Sequence, residues 1–267
     1  MVIADGQATT VDRYPDVVSL NAALAAAATL IAVAFALSTL DRYLRRRRPH
    51  ELAWTVSLWL FAVGGLALWW AEAHGWGTPT FRVFYLAGAV LNVAWLALGT
   101  VYLLAGAQWG HAVRTWLIGL SGFATGVVLF APTKIAVSGT DLPQGSEVFG
   151  VPPRILAAVG SGVPALVIIG GALWSAWRLW RGRLPAIGRG AQRTISAPGR
   201  LVAGNLLIAA GTLELSASGT LAARLGKDRA FAVTLLIGVV ILFAGFLVAS
   251  SGANRRIASA ESEQRAA

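Results

Sequence analysis

The chain has 267 residues, of which 56% are hydrophobic and 13% are charged, and its formal net charge is +10. Soluble domains carry about a quarter charged residues, so this composition excludes an ordinary soluble protein. The positive charge lies in short clusters at the ends of apolar runs, which indicates membrane topology and argues against a nucleic-acid partner. No cysteine is present, which excludes disulfides and thiolate chemistry.

Seven apolar windows are each long enough to cross a bilayer of about 30 Å, which takes roughly 17 to 25 helical residues. In chain order, segments 1 to 7 cover residues 17–40, 52–72, 81–105, 112–132, 155–177, 200–221 and 230–251. Unbroken apolar runs favour helices, because lipid offers no hydrogen-bond partners and a helix pairs its backbone N–H and C=O groups within its own segment. The sequence therefore predicts an all-α integral membrane protein, a seven-transmembrane-helix bundle that forms a single membrane domain.

Lysine and arginine are divided unequally between the two sides of this bundle. Fifteen lie on the side that holds the loops after segments 1, 3 and 5 and the tail 252–267, and seven lie on the other side. Positive residues concentrate in cytoplasmic loops, so we expect the C-terminus in the cytoplasm and residues 1–16 outside as an uncleaved leader. The cytoplasmic arginines would meet anionic lipid headgroups. The Ala-, Arg- and Trp-rich composition is typical of a high-GC bacterium and predicts a plasma-membrane location.

An internal repeat relates the two ends of the chain. Residues 36–47 and 172–183 agree at five of twelve positions, and both run from apolar residues into arginines. Residues 60–101 and 207–248 agree at ten of 42 positions without a gap. Composition alone gives roughly one match in ten, so the excess is modest, as is usual for repeats in membrane folds. Segments 1–3 (17–105) thus correspond to segments 5–7 (155–251), and segment 4 (112–132) makes the two repeats parallel.

This 3-1-3 plan resembles that of the sugar-facilitator and PQ-loop transporters, and more loosely that of the microbial rhodopsins, in topology alone. No residue motif of those families accompanies the topology. Segments 1 and 5 contain no Pro-Gln pair, and segment 7 contains no lysine that could form a retinal Schiff base. We expect no cofactor.

Glu214 lies close to the middle of segment 6, where a lone carboxylate is costly and suggests a functional site by default. It shares a helical face with the small residues Gly211 and Ser218, so we expect it to point into the bundle and to be protonated. Three interpretations stand. The carboxyl group locks segment 6 to a neighbour by a hydrogen bond, it couples protons or binds a substrate, or it faces lipid.

Segment 3 carries polar, aromatic and glycine residues at helical spacing. The stripe consists of Tyr85, Gly88, Asn92, Trp95, Gly99 and Tyr102. Such a stripe could line a cavity for a planar or amphipathic solute, with Asn92 as the orienting group. Alternatively, its members pack helices and Asn92 forms a hydrogen bond between them. Ser121 and Thr125, one turn apart in segment 4, are further candidates for solute binding.

Enzyme signatures are lacking in the sequence. His50 and His111 are predicted inside and His74 outside, so no metal site is expected. Glu72 and His74 are interpreted as an exposed pair at an outer helix end. No phosphate-binding loop, GxSxG motif or catalytic residue is identified, and we expect no enzyme activity.

Three classes of function remain. The first is a small-molecule transporter or facilitator whose two three-helix halves rock around a midplane site, with Glu214, Asn92 and Trp95 as main contacts and a proton link through Glu214. The second is a non-catalytic membrane subunit or sensor that acts through a partner protein or as an oligomer, for instance by the basic loop 178–200. The third is an intramembrane enzyme that modifies lipid. The composition and topology favour the first.

Overall fold

The computed structural model describes residues 14–139, 141–181, 198–225 and 233–248, which are mostly helical and contain no strand. The helices are α1 Tyr14–Arg46, α2 Pro49–His74, α3 Thr78–Leu104, α4 Ala107–Phe130, α5 Val151–Trp180, α6 Pro198–Leu225 and α7 Val233–Val248. A single helical turn, Gly145–Val148, precedes α5. Each of α1 to α7 overlaps the predicted segment of the same number. The predicted leader up to residue 13, the loop 182–197 and the tail 252–267 lie outside the described residues.

Five of these helices are long and apolar enough to cross a membrane. They are Leu20–Arg46, Pro49–His74, Thr78–Leu104, Ala107–Phe130 and Val151–Ser175. In α6 and α7 the described apolar stretches are shorter, at Val202–Leu215 and Val233–Val248. The predicted class, an all-α membrane protein with several spans, is confirmed.

The connections between the first four helices are short. Arg47 takes a left-handed conformation, with φ of 51°, and Pro49 begins α2 in the first turn, where its missing N–H is no loss. Gly75 ends α2 with φ of 88°, a value that glycine adopts without steric cost. α1 and α2 therefore form an antiparallel hairpin. We call the end of the bundle that holds residues 42–48 the arginine-rich end.

Contacts pass from helix to helix around a ring. α1 packs against α2, α2 against α3, α3 against α5, and α5 against α6. α7 packs on α6 and returns to α1, where the rings of Phe35 and Phe246 lie 4.8 Å apart. α4 lies against α3, touches α5 lightly, and exposes Trp116 and Phe123. Most of the surface of α4 is thus available to lipid.

Four glycines with a spacing of seven bring α6 and α7 into backbone contact: Gly204 and Gly211 on α6, and Gly238 and Gly245 on α7. A methyl group on Gly211 would lie 2.8 Å from the backbone nitrogen of Leu242 and 2.9 Å from the oxygen of Gly238. One on Gly245 would lie 2.9 Å from the oxygen of Gly204. Only glycine fits at such distances, as in other close membrane-helix contacts. We call this contact the glycine seam.

The end of the bundle opposite the arginine-rich end is covered by the connection between α4 and α5. The Arg82 guanidinium donates hydrogen bonds to the carbonyls of Val128, Leu129 and Ala131, which the last turn of α4 leaves without helical partners. Below it, aromatic rings pack together, with the Phe149 ring 5.0 Å from that of Tyr85. Arg82 thereby anchors the end of α4 over an aromatic cluster.

Candidate functional site

A small cavity of about 20 Å³ lies between α2, α3, α6 and α7. Its lining consists of Ser57, Leu58, Phe61, Asn92, Val93, Leu96, Thr212, Leu215, Val239 and Leu242. Most of these side chains are buried. A volume of this size holds a water molecule but no organic solute.

Ser57 and Asn92 form the polar side of the cavity. The Ser57 hydroxyl donates to Asn92 Oδ1 at 2.7 Å and also lies 3.0 Å from the Asn92 backbone oxygen. A hydroxyl has one proton, so the two acceptors share it. Both residues are buried, at 1% and 9% exposure, and this bond fixes Asn92 against α2.

Thr212 stands on α6 as a further polar residue of the lining. Its hydroxyl donates to the Ile208 carbonyl at 2.8 Å, a common arrangement for threonine in membrane helices. The cavity therefore contains hydroxyl and amide groups from α2, α3 and α6, whereas α7 contributes the apolar Val239 and Leu242. No charged side chain is among its lining residues. Such a lining suits a neutral solute that forms hydrogen bonds.

Helix α3 changes its winding directly before Asn92. Residues Tyr85–Leu91 form a π-helix, and the Asn92 backbone N–H bonds to the carbonyl of Ala87, five residues back. π-helical stretches inside α-helices are rare and occur frequently at functional sites. Each residue of a π-helix turns the chain through a smaller angle, so residues before and after it lose the phase expected from the sequence.

The stripe predicted on segment 3 is divided among several neighbours. Tyr85 and Gly88 lie in the π-helix, which separates them from the other four members in the regular α-helix Asn92–Leu104. Tyr85 points to the start of α5, where its hydroxyl lies 3.4 Å from the Pro153 oxygen. Asn92 faces α2 and is the member of the stripe that lines the cavity. Gly99 faces Trp54 of α2.

Trp95 and Tyr102 face α4 instead. The Trp95 indole N–H donates to Ser121 Oγ at 3.2 Å, and the Tyr102 hydroxyl lies 3.1 Å from His111 Nδ1. Thr125 donates to the Ser121 backbone oxygen at 2.7 Å. The structure thus brings these four predicted residues together in contacts between α3 and α4 or within α4, away from the cavity.

Glu214 is half-buried on α6, two residues beyond Thr212. Its neighbours Thr212 and Leu215 line the cavity, whereas Glu214 does not. It follows Leu213, which is 58% exposed. The carboxyl group forms no hydrogen bond with the described residues. The side chain of Ser218, predicted to share its face, lies outside the described part of the structure.

Two other carboxyl groups, both on α2, are more deeply buried. Glu51, at 5% exposure, stands in the first turn, and its Oε2 has no hydrogen-bond partner among the described residues. Glu72 is also buried, so the interpretation of Glu72 and His74 as an exposed pair is wrong for Glu72. α2 continues to His74 and carries Glu72 on its inner face, while His74 stacks on Trp70. The burial of Glu51 and Glu72 could not be predicted from the sequence, because both residues lie at the ends of an apolar run.

The arrangement is thus a narrow, uncharged and mostly apolar cavity with three polar residues, beside a π-helical stretch. No known protein-family model matches the chain, and no curated protein sequence matches it significantly.

Proposed function

We propose that the protein is a small-molecule transporter or facilitator that carries a neutral, hydrogen-bonding solute through a site between two three-helix halves. The observation that carries the proposal is the origin of the cavity lining. Ser57 and Asn92 come from α2 and α3, whereas Thr212 comes from α6, so the site lies where the two proposed halves meet. Binding sites at such an interface near the midplane are usual in transporters built from repeats.

The glycine contacts support the proposed 3-1-3 repeat of seven transmembrane helices. Gly64 and Gly211 occupy equivalent positions in the two repeats. Gly64 approaches Gly88 of the next helix, and Gly211 approaches Gly238 of the next helix. α4 lies outside the ring, as a linker between repeats would. The proposed orientation has the N-terminus outside and the arginine-rich end in the cytoplasm, in a bacterial plasma membrane.

The size of the cavity bears on how a solute would pass. About 20 Å³ admits water alone, so a larger solute requires α6 and α7 to move away from α2 and α3. Rocking of one half against the other supplies such a movement. The described conformation is then the closed one.

Glu214 supplies the proposed proton link. Its carboxyl group is on the helix that carries Thr212, and it makes no hydrogen bond with the described residues. Protonation at this position would change the charge of α6 within the bilayer, where charge is costly. We expect solute flux to depend on pH and Glu214→Gln to change that dependence.

The first experiment measures flux of urea, glycerol and formamide into proteoliposomes by light scattering. We expect flux above that of empty liposomes and about a tenfold reduction in Ser57→Ala, corresponding to about 1.4 kcal/mol of lost interaction. Ser161→Ala is the matched control, because the Ser161 hydroxyl donates to the Ala157 carbonyl of its own helix and, among the described residues, to no other helix. Absence of flux for a folded protein, or equal flux in both variants, contradicts the proposal.

The second experiment compares the pH dependence of flux in the parent and in Glu214→Gln. Glu147→Gln is the matched control, because Glu147 is exposed in the short turn before α5. Identical pH profiles for the parent and Glu214→Gln refute the proton link while leaving solute passage intact.

A further inference from the structure

We infer that solute enters the cavity from the arginine-rich end, past a closure formed by Trp54 seated against Gly99 and held by Phe246. The inference rests on the proposed function, since it assigns the route to that site. The positions of Trp54, Gly99 and Phe246 at one end of the cavity support this route.

Each of the four helices that line the cavity continues toward the arginine-rich end, and the next helical turn on each places one residue beneath the lining. The residues one turn below the lining are Trp54 on α2, Gly99 on α3, Ile208 on α6 and Phe246 on α7. Phe246 and Ile208 are buried, and Trp54 packs against the same apolar cluster. Together they form a floor between the cavity and the arginine-rich end.

Trp54 occupies a space that exists only because residue 99 is glycine. A methyl group on Gly99 would overlap the indole nitrogen of Trp54. The indole also contacts Phe246, with ring centroids 4.5 Å apart at an interplanar angle of 90°. Phe246 in turn contacts Phe35 at 4.8 Å. Edge-to-face contacts of this kind hold the rings in place without a covalent or ionic link.

These ring contacts join the two proposed halves. Trp54 and Phe35 belong to α2 and α1, whereas Phe246 belongs to α7. Movement of α7 away from α2 therefore separates Phe246 from Trp54 and frees the indole to change rotamer. The motion that would enlarge the cavity also opens its floor.

The opposite end of the cavity is closed differently. Above Asn92 the backbones of α2 and α3 approach, and a methyl group on Gly64 would lie 3.4 Å from the Gly88 nitrogen. The atoms nearest to that methyl group are the Gly88 backbone and the Ala87 Cβ, neither of which can rotate away. Beyond it lies the aromatic cluster with Phe149, anchored through the cap on α4 by Arg82. The first opening is thus expected at the arginine-rich end.

The natural absence of cysteine allows a direct test. Ser57→Cys places a single thiol in the cavity, and a charged, membrane-impermeant thiosulfonate is applied to vesicles from either side. Leu44→Cys and Ser138→Cys, both at exposed positions near the two ends, identify the arginine-rich side and the other side. We expect slow labelling of Ser57→Cys in the otherwise unchanged protein.

Trimming the floor should expose the thiol from one side. Combined with Ser57→Cys, Trp54→Ala or Phe246→Ala should raise the labelling rate from the arginine-rich side by about tenfold or more, because loss of the ring contacts favours the open state. Phe123→Ala on α4 removes an exposed ring outside the ring of helices and should leave the rate unchanged. Gly99→Ala should act like Trp54→Ala by displacing the indole.

The outcomes separate this inference from the proposed function. Unchanged labelling in Trp54→Ala, Phe246→Ala and Gly99→Ala, in protein that elutes as one species, overturns the inference. Faster labelling from the other side also overturns it. If labelling rises as expected but no solute flux is found, the entrance stands and the proposed function falls. Thr212→Cys provides a second thiol position if Ser57→Cys fails to fold.

Discussion

Ser57 and Asn92 join α2 and α3 by a bond between buried side chains, and Thr212 is the third polar residue of the cavity lining. A hydrogen bond of this kind in a membrane protein contributes about 0.6 kcal/mol on average and at most about 1.7 kcal/mol. That contribution is small beside the packing of whole helices. Its value lies in holding the Asn92 amide in one orientation within the cavity.

A double-mutant cycle measures this bond. Ser57→Ala and Asn92→Ala, alone and together, should show a coupling energy of about 0.6 to 1.7 kcal/mol in the free energy of unfolding in mixed micelles. The cycle of Ser161→Ala with Asn92→Ala should show none, because the Ser161 hydroxyl bonds within α5. Equal coupling in the two cycles would mean that the Ser57 bond does not form.

Gly211 in the glycine seam permits a second prediction. Gly211→Ala should lower the free energy of unfolding by about 1 to 3 kcal/mol, because the added methyl group overlaps the backbone of α7. Gly119→Ala on α4 has open space around the methyl group and should be neutral or stabilising, since alanine favours helix by about 1 kcal/mol. Thermal unfolding in detergent compares the two variants, and equal midpoints would contradict the close contact at the seam.

Individual residues were predictable from the sequence where a strong rule applied. Asn92 is an amide within an apolar run, and the structure places it in the cavity lining, while its role in solute binding stays a prediction. Gly211 was expected to allow close packing, and it does. Ser57 and Thr212 gave no signal, because membrane helices often place such hydroxyls on their own backbone carbonyls.

Among the helices, α3 departs most from its expected geometry. Periodicity over residues 85–102 assumed a constant 3.6 residues per turn, whereas Tyr85–Leu91 is wound with hydrogen bonds five residues apart. This shift separates Tyr85, which contacts α5, from Asn92. The division between Asn92 and Gly99 on α2 and Trp95 and Tyr102 on α4 lies within regular α-helix, where a spacing of three or four residues spans part of the helix circumference. The sequence YLAGAVL contains no proline that would indicate the π-helix, so hydrophobic periodicity could not predict the change of winding at this stretch.

Substitution of Arg82 measures how much its hydrogen bonds to the end of α4 stabilise the bundle. Arg82→Gln removes donors from three carbonyls at the end of α4, and we expect a loss of about 2 to 3 kcal/mol in stability, since bonds from a charged donor contribute about 1.5 to 3 kcal/mol. Arg82→Lys should lie between, because lysine lacks the forked geometry. Arg154→Gln makes the same charge change at an exposed position and should have little effect. Similar unfolding curves for Arg82→Gln and Arg154→Gln would show that the cap contributes nothing.

For the whole molecule, composition and the positions of apolar runs were enough to predict the class and the order of the helices. They were not enough to predict which helices meet, because lipid-facing and protein-facing apolar residues have the same chemistry. The peripheral place of α4 and the ring closed by α1 and α7 depend on shape, as at the glycine seam. Topology, in contrast, depends on charge and can be tested without knowing the packing.

The predicted orientation requires residues 227 and 267 to lie on opposite sides of the membrane. A green fluorescent protein fused after residue 267 should fluoresce, because it would fold in the cytoplasm beside the fifteen positive residues of that side. The same protein fused after residue 227 should stay dark, and alkaline phosphatase at that site should be active. Fluorescence at both sites would show that segment 7 does not cross the membrane.

The glycine seam has a mechanical consequence for the cavity and its floor. Backbone of α6 lies directly against backbone of α7 at Gly211 and Gly245, so few side-chain torsions separate the two helices there. Thr212 on α6 and Phe246 on α7 are therefore expected to move together, as parts of one rigid helix pair. A solute that displaces Thr212 would therefore also displace Phe246, so occupancy of the cavity and opening of its floor would be coupled.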